Sequence, residues 1–329
     1  MKAGFVHTQK QERFVEDETL RIAIIGAGAM GMLFGGYLSR RHEVVLIDND
    51  DAKVQAINDE GILIREPDGE IFAAAPKAYL STQKLETADL ALLFVKAMDS
   101  TGALEAARNL IGSGTYVLSM QNGAGHESVL REFVAANRVV LGTTQHNSSI
   151  VKPGVIHHGG GGLTYIGLLD GSSETLKPIA EEFARCGFRT EIADNIQKKI
   201  WEKLFVNVSA SALTAVFQTR LGFLVESAAA WTLTEGLIRE AVAVANGDGF
   251  GFEEDKVIQD VRSLIENAKH GVPSICADIR DGRKTEVDTI SGSVTAASRR
   301  NHVPAPLHEF MVQLIHAMED KKRRECDGV

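Results

Sequence analysis

Residues 21–26, Arg-Ile-Ala-Ile-Ile-Gly, form a short β-branched apolar run that closes on a glycine. Apolar character without alternation predicts a strand buried on both faces of a parallel sheet. Met30, Leu33 and Tyr37 then recur at helical spacing, which predicts a helix over 29–40. Residues 43–48 predict a second buried strand and 52–59 a second helix, so the chain opens strand, helix, strand, helix. Residues 61–75 read as a hairpin around Pro67-Asp68-Gly69. Further buried strands are expected at 89–95, 115–119 and 138–143. Residues 154–168 carry Gly-rich turns and short β segments suited to closing the sheet.

From about residue 194 the texture changes. Amphipathic helical patterns run over 196–217, 226–247, 254–269, 285–300 and 306–318, parted in places by turn signals such as Gly247-Asp248-Gly249 and Val303-Pro304. The expected fold class is α/β: an N-terminal doubly wound sheet over 21–190, then an all-α C-terminal domain over 191–329. Residues 1–20 read as a polar N-terminal extension. A chain of 329 residues is long enough for two such domains.

Hydrophobic residues make up 44% of the chain and charged residues 24%, which excludes a mostly disordered protein. Lys and Arg number 35 against 44 Asp and Glu, a net charge of −9. Such a chain has no general attraction to nucleic acid or anionic membrane. The basic run at 321–324 reads as a solvated tail. No apolar run approaches the ~18–20 residues of a membrane span, and the N-terminus lacks the apolar core of a signal peptide. Cys186, Cys276 and Cys326 are odd in number and form no CxxC. That suits a reducing cytoplasm and argues against a disulfide scaffold or a thiolate zinc site. His157 and His158 are neighbours in an expected strand, point to opposite faces, and are poorly placed to share a metal.

Gly26-Ala27-Gly28-Ala29-Met30-Gly31 is G-x-G-x-x-G, directly after the first expected strand and opening the first expected helix. That context makes it a candidate pyrophosphate cradle. The first glycine suits the tight turn, the second lets backbone approach the phosphates, and the third allows close helix–strand packing. The helix N-terminus adds free N–H groups and partial positive charge. Asp48 ends the second strand twenty residues beyond Gly28, where a carboxylate accepts hydrogen bonds from an adenine ribose. It would repel a 2′-phosphate, and no basic residue follows before Lys53, so NADH is expected over NADPH. A plainer alternative has Asp48 capping the helix that begins near residue 51.

Lys203, Asn207 and Ser211 are spaced i, i+4, i+8 and line one helix face. Leu204, Phe205, Val206 and Val208 surround them. A lysine among apolar neighbours loses solvation, its pKa falls toward neutrality, and it can serve as a general acid. A snorkelling surface lysine fits the same residues. Glu286 and Ile290 share a face of the 285–300 helix, and Gly292 permits close approach of another element. Glu286 alone reads equally as a solvated helix residue, and Ser274, after Pro273, as a helix cap.

Seven segments matter together: the 26–31 loop, Val95-Lys96-Ala97, Gln121-Asn122-Gly123-Ala124-Gly125, Gly142-Thr143-Thr144, residues 201–207 ending at Asn207, Leu213-Thr214-Ala215, and Lys284-Thr285-Glu286-Val287-Asp288. In order and spacing the chain resembles the ketopantoate reductase (2-dehydropantoate 2-reductase) family from about residue 21 to 318. The resemblance implies a Rossmann domain followed by a helical domain, with a small 2-oxo acid in the cleft between them. It implies hydride transfer from NAD(P)H to the keto carbon of 2-dehydropantoate, giving (R)-pantoate. Lys203 would be the general acid, and Glu286 would bond the reacting oxygen or hydroxyl. Asn207, Ser211 and Ser274 match substrate-binding positions. Asn122 and Lys96 match positions near the nicotinamide ribose and the reacting centre. Gly26, Gly28, Ala29, Met30, Gly31 and Asp48 fall on the dinucleotide side.

Three departures stand out. Ser211 occupies a position where the family often has asparagine, and Gly271 one where some members have another. Asp48 lies where most members carry a basic residue suited to NADPH. These bear on substrate and cofactor and leave the reaction type in place. They raise a second expectation, an NAD-dependent D-2-hydroxyacid dehydrogenase acting on other branched or aromatic 2-oxo acids. A 6-phosphogluconate-type dehydrogenase is disfavoured by the Lys-Thr-Glu-Val-Asp segment and the Gln-Asn-Gly-Ala-Gly turn. A catalytically silent dinucleotide sensor is disfavoured by the presence of Lys203, Asn207 and Glu286. No metal is expected, and a homodimer is the default assembly.

Overall fold

The computed structural model describes residues 19–327, so most of the expected 1–20 extension lies outside the described residues. Leu20 already belongs to the fold: it is buried, and its carbonyl accepts the Glu43 N–H at 3.0 Å. The strands are β1 (Arg21–Ile25), β2 (Glu43–Ile47), β3 (Ile62–Arg65), β4 (Ile71–Ala74), β5 (Lys77–Tyr79), β6 (Leu90–Leu93), β7 (Tyr116–Ser119), β8 (Val139–Thr144), β9 (Asn147–Lys152), β10 (Val155–Gly160), β11 (Thr164–Leu168) and β12 (Thr190–Ile192). The helices are α1 (Ala29–Leu38), α2 (Asp51–Glu60), α3 (Ser100–Ala106), α4 (Glu127–Leu130), α5 (Lys177–Arg185), α6 (Ile196–Val206), α7 (Ala212–Phe217), α8 (Gly222–Glu226), α9 (Ala228–Gly247), α10 (Glu254–Asn267), α11 (Ser274–Arg280), α12 (Ser291–Asn301) and α13 (Pro306–Asp327).

The main sheet has eight strands in the order β12-β11-β8-β7-β6-β1-β2-β5. Its first six strands in sequence run parallel about β1, the doubly wound arrangement of the expected fold class. Strand β11 joins antiparallel to β8, and β12 parallel to β11. Strands β6 and β7 are buried at every position, which is why their sequence shows no alternation. One face of the sheet packs on α1 and α5, where the Phe34 and Phe188 rings stack at 4.0 Å. The other face packs on α3 and the first turns of α6. Helices α6 to α13 enclose a separate core that includes Trp201, Phe205, Leu237, Ile265 and Val294.

A second sheet, β4-β3-β10-β9, lies over α1. The 61–75 hairpin supplies β3 and β4 as expected. The 154–168 segment divides instead of closing one sheet: β10 pairs parallel with β3, and only β11 reaches the main sheet. A hydrogen-bond chain ties the two sheets together. The Tyr37 hydroxyl donates to Glu66 at 2.6 Å, His158 Nδ1 lies 2.7 Å from the other Glu66 oxygen, and His146 Nδ1 lies 3.1 Å from His158 Nε2. A carboxylate only accepts, so the His158 proton sits on Nδ1 and its Nε2 accepts from His146. His157 is exposed on the opposite face of β10.

The helical pattern over 285–300 forms a helix only from Ser291. The Thr285 N–H is drawn to Glu319 at 2.7 Å, and the Thr289 carbonyl accepts the Ala124 N–H at 3.1 Å. Those backbone groups are taken by tertiary partners, so Glu286 lies in an irregular segment entering a turn. The 226–247 pattern breaks at Ser227, whose side chain caps α9. The final helix runs beyond 318 to Asp327, so the basic run at 321–324 is helical. Ile196–Phe217 is a 22-residue helical run long and apolar enough to cross a bilayer, contrary to the expectation that no such run exists. Its apolar side chains, Trp201, Leu204, Phe205, Val208 and Leu213 among them, lie in the core of the helical half.

Candidate active site

The glycine loop follows β1. Gly26 sits at φ +101°, and a Cβ there would lie 2.8 Å from the Val95 nitrogen. A Cβ on Gly31 would lie 1.9 Å from the Gly26 carbonyl oxygen, so both positions need glycine for the strand–helix packing. A Cβ on Gly28 would meet nothing within 4 Å. Open space therefore stands at the N-terminus of α1, beside half-buried Ala29 and Met30. No side chain caps this helix, and the Met32 N–H makes its first backbone bond, to the Gly28 carbonyl. The N–H groups of Ala29, Met30 and Gly31 are left for an anion. This cradle fits the pyrophosphate of a dinucleotide.

Asp48 takes a part that neither sequence reading foresaw. Asp50, not Asp48, caps α2, accepting the Lys53 N–H at 3.2 Å. One Asp48 oxygen accepts the Ala27 N–H of the glycine loop at 2.8 Å, and the other accepts the Asp50 N–H at 3.0 Å. The Lys53 ammonium pairs with the carboxylate at 3.0 Å, and the Asp48 side chain is only 7% exposed. The acid thus braces the loop, and its charge is met by a cation.

Helix α6 carries Lys203 against the end of β8, where its ammonium donates to the Thr144 carbonyl at 3.1 Å. Protein encloses this half-buried side chain, and desolvation pushes its pKa down to about 8, opposed by the nearby Glu286 carboxylate. Burial pushes the Glu286 carboxyl up from its ordinary value. Opposing that rise, Glu286 accepts the Ala97 N–H at 3.3 Å and a hydrogen bond from the Asn122 side chain, and feels the charge of Lys96. Lys203, Glu286, Asn122 and Lys96 therefore gather from four distant segments. Asn207 begins a π turn, residues Asn207–Ser211, between α6 and α7. The i, i+4, i+8 face therefore holds from Lys203 to Asn207 and is interrupted before Ser211, which is buried. Ser274 is the exposed first residue of α11, with Pro273 in the cap position.

Asp278 and several contacts at the site were absent from the sequence reading. Asp278, on α11, accepts the Lys96 ammonium at 2.9 Å and the Arg283 guanidinium at 2.8 Å. Lys96 also donates to the Lys284 carbonyl at 2.5 Å. Gln121 donates to the Val95 carbonyl and the Ser100 hydroxyl, both at 2.8 Å, and so fixes the turn that presents Asn122. Gly123, at φ +96°, abuts the Thr289 carbonyl so closely that a Cβ would lie 1.9 Å from its oxygen. The Gln-Asn-Gly-Ala-Gly turn was visible in the sequence. Its partner on the helical side was not.

Two family models match the chain: "Ketopantoate reductase PanE/ApbA" over residues 22–171 and "Ketopantoate reductase PanE/ApbA C terminal" over 195–319. The 2-dehydropantoate 2-reductase of Lactococcus lactis is 32% identical over 308 residues, covering 92% of this chain and 98% of that protein. That of Halobacterium salinarum is 30% identical over 298 residues, covering 90% and 98%. Among solved structures, a D-mandelate dehydrogenase with NADH and anilino(oxo)acetate superposes with a TM-score of 0.88 at 29% identity, over 92% of this chain and all of that one. A PanE/ApbA family ketopantoate reductase from Ralstonia eutropha gives 0.84 at 28% identity, with 92% and 100% covered. With its doubly wound sheet, glycine cradle and enclosed lysine, the chain belongs to the ketopantoate reductase family and is an NAD(P)-dependent oxidoreductase that acts on a CH–OH group.

Proposed function

We propose that the protein is a 2-dehydropantoate 2-reductase, reducing the keto group of 2-dehydropantoate to (R)-pantoate with Lys203 as general acid. The observation that carries this reading is the Lys203 ammonium, held by the Thr144 carbonyl and depressed to about 8, beside Glu286 and Asn122. NAD(P)H, when bound, supplies the hydride. Lys203 gives its proton to the oxygen of the substrate, and its charge stabilises the alkoxide that develops there. Glu286, near enough to Lys203 for its charge to act there and bonded to Asn122, orients the reacting oxygen. Gly28, Ala29 and Met30 hold the pyrophosphate, and Lys96 lies on the nicotinamide side. Asn207 and Ser274 bind the substrate, with Ser211 behind them. We place the dinucleotide side in residues 21–190 and the substrate side in the helical remainder.

Asp48 supports NADH over NADPH through charge repulsion, and its pairing with Lys53 weakens that repulsion. Cys186 and Cys276, both free and buried, fit a reducing cytoplasm. The high structural similarity to a D-mandelate dehydrogenase, together with serine at position 211, favours a second reading in which the substrate is another branched or aromatic 2-oxo acid. Initial rates with ketopantoate, 2-oxoisocaproate and phenylglyoxylate, each with NADH and with NADPH, test both. A kcat/KM for ketopantoate of ~10⁴ M⁻¹s⁻¹ or more, above the other two, is expected. Preference for phenylglyoxylate or 2-oxoisocaproate overturns the pantoate assignment.

A further inference from the structure

On the side of α11 away from Lys96 there is a cavity of about 610 Å³, within the range of sites for small organic molecules. It shares no residue with the candidate active site. Asp278 points from α11 to Lys96, whereas Cys276 and Arg280 line the cavity. Arg220 enters from the turn after α7, Lys269 from the turn after α10, and Glu226 is the one carboxylate in the lining. Arg280 pairs only with its chain neighbour Asp281 at 3.1 Å, while Arg220 and Lys269 have no ion-pair partner among the described residues. Three cations from three elements thus converge in a chain whose acids outnumber its bases. Phe223 and Val272 supply an apolar wall.

The wall is tied in place. The Leu221 N–H donates to the Gly271 carbonyl at 3.1 Å and the Gly222 N–H to the Lys269 carbonyl at 2.9 Å. A Cβ on Gly222 would press to 3.1 Å on Lys269 and 3.2 Å on Glu226, so the turn packs closely against the neighbouring loop. Glu226 and Asp281 offset part of this charge, the cations still outnumber the one carboxylate of the lining, and a bound anion relieves the repulsion that remains. Two guanidinium forks and an ammonium match a tetrahedral dianion better than a single carboxylate.

We propose that this cavity is a second ligand site, which binds a phosphate monoester whose apolar portion rests on Phe223 and Val272. The site does not depend on the reaction proposed above, because binding is read without turnover. Calorimetric titration of the full chain in saturating NADH, which fills the glycine cradle, tests it with phenyl phosphate, inorganic phosphate and benzoate. Phenyl phosphate should bind once per chain, and inorganic phosphate and benzoate more weakly. In the Arg220→Glu/Lys269→Glu double variant, phenyl phosphate should bind at least about tenfold more weakly, with kcat for the oxo acid unchanged. Lys269→Ala, a milder change at an exposed position, should weaken it in the same direction. No saturable binding up to ~10 mM, or equal affinity in wild type and both variants, overturns the proposal.

Discussion

A lysine with a pKa of about 8 is still mostly protonated at pH 7, so in the proposed mechanism Lys203 starts the reductive direction as an acid. Reduction should slow above about pH 8, and oxidation of the hydroxy acid should quicken over the same interval, because the two directions need opposite forms of Lys203. Lys203→Ala should lower kcat by roughly 10²–10⁴ and leave NADH affinity little changed. A kcat near wild type would remove Lys203 from the proton path. The burial that tunes this lysine also weakens the fold. Between about 8 and its ordinary value of 10.5, the unfolded chain holds the proton and the folded chain does not. Stability from this residue therefore rises with pH across that window and is lowest below it. Lys203→Met should melt at or above the wild-type temperature at pH 7 while turnover is lost. Lys53 tests the cofactor preference at the same scale. Lys53→Ala exposes the charge of Asp48, and the ratio of kcat/KM for NADH over NADPH should rise about tenfold, the effect of ~1.4 kcal/mol.

The π turn at Asn207–Ser211 contains one residue more than an α turn. Ser209 steadies it, its hydroxyl donating to the Phe205 carbonyl at 2.6 Å. Deleting Ser209 should restore a regular helix, with Lys203 before it and Leu213 after it keeping their faces. The deletion variant should melt within ~4 °C of wild type, and its KM for the oxo acid should rise about tenfold or more. Equal KM would show that the wide turn has no part in the substrate side. This turn was not legible in the sequence, since Asn-Val-Ser-Ala-Ser carries no signature of an extra residue. The misread 285–300 helix has a related cause. Val287, Ile290, Val294 and Ala297 are all buried at helical spacing, but the first two reach the core from a turn. Periodicity reports which side chains face inward and is silent on where backbone bonds go. Strands β6 and β7 and the βαβ opening were legible because burial on both faces writes itself directly into composition.

At the scale of the whole molecule, the site is a seam between halves. Lys96 and Asp278 are 182 positions apart, and Lys203 and Thr144 are 59 apart. The lysines, the glutamate and Thr144 were legible as residues, whereas Asp278 and the pairing of Lys203 with Thr144 were not, because no local pattern encodes a partner at such distances. Asp278→Asn should weaken NADH binding about tenfold and change kcat less, since it removes the charge that pairs with Lys96, leaving the Lys284 carbonyl as its remaining strong partner, without touching Lys203. Gly123→Ala should force the seam apart at Thr289 and lower the melting temperature, at a cost of ~1–3 kcal/mol or more. Acid should loosen the molecule as well. Burial lowers His42, His126 and His146 below the ordinary 6.5 and takes His308 to about 4. The unfolded chain then binds more protons, so stability falls as pH drops below about 6.5, and a melting series from pH 7.5 to 5 measures the fall. The second sheet has a consequence of another kind, in time. Ile62 and Ile64 of β3 are fully buried, and their parallel neighbour begins at Val155. During synthesis at ~5–20 residues per second, some ~5–20 seconds pass before that neighbour leaves the ribosome. Until then one edge of the hairpin stands open with its backbone N–H and C=O groups unpaired, and a nascent chain arrested before Val155 should be cut by protease at residues that the finished protein keeps out of reach.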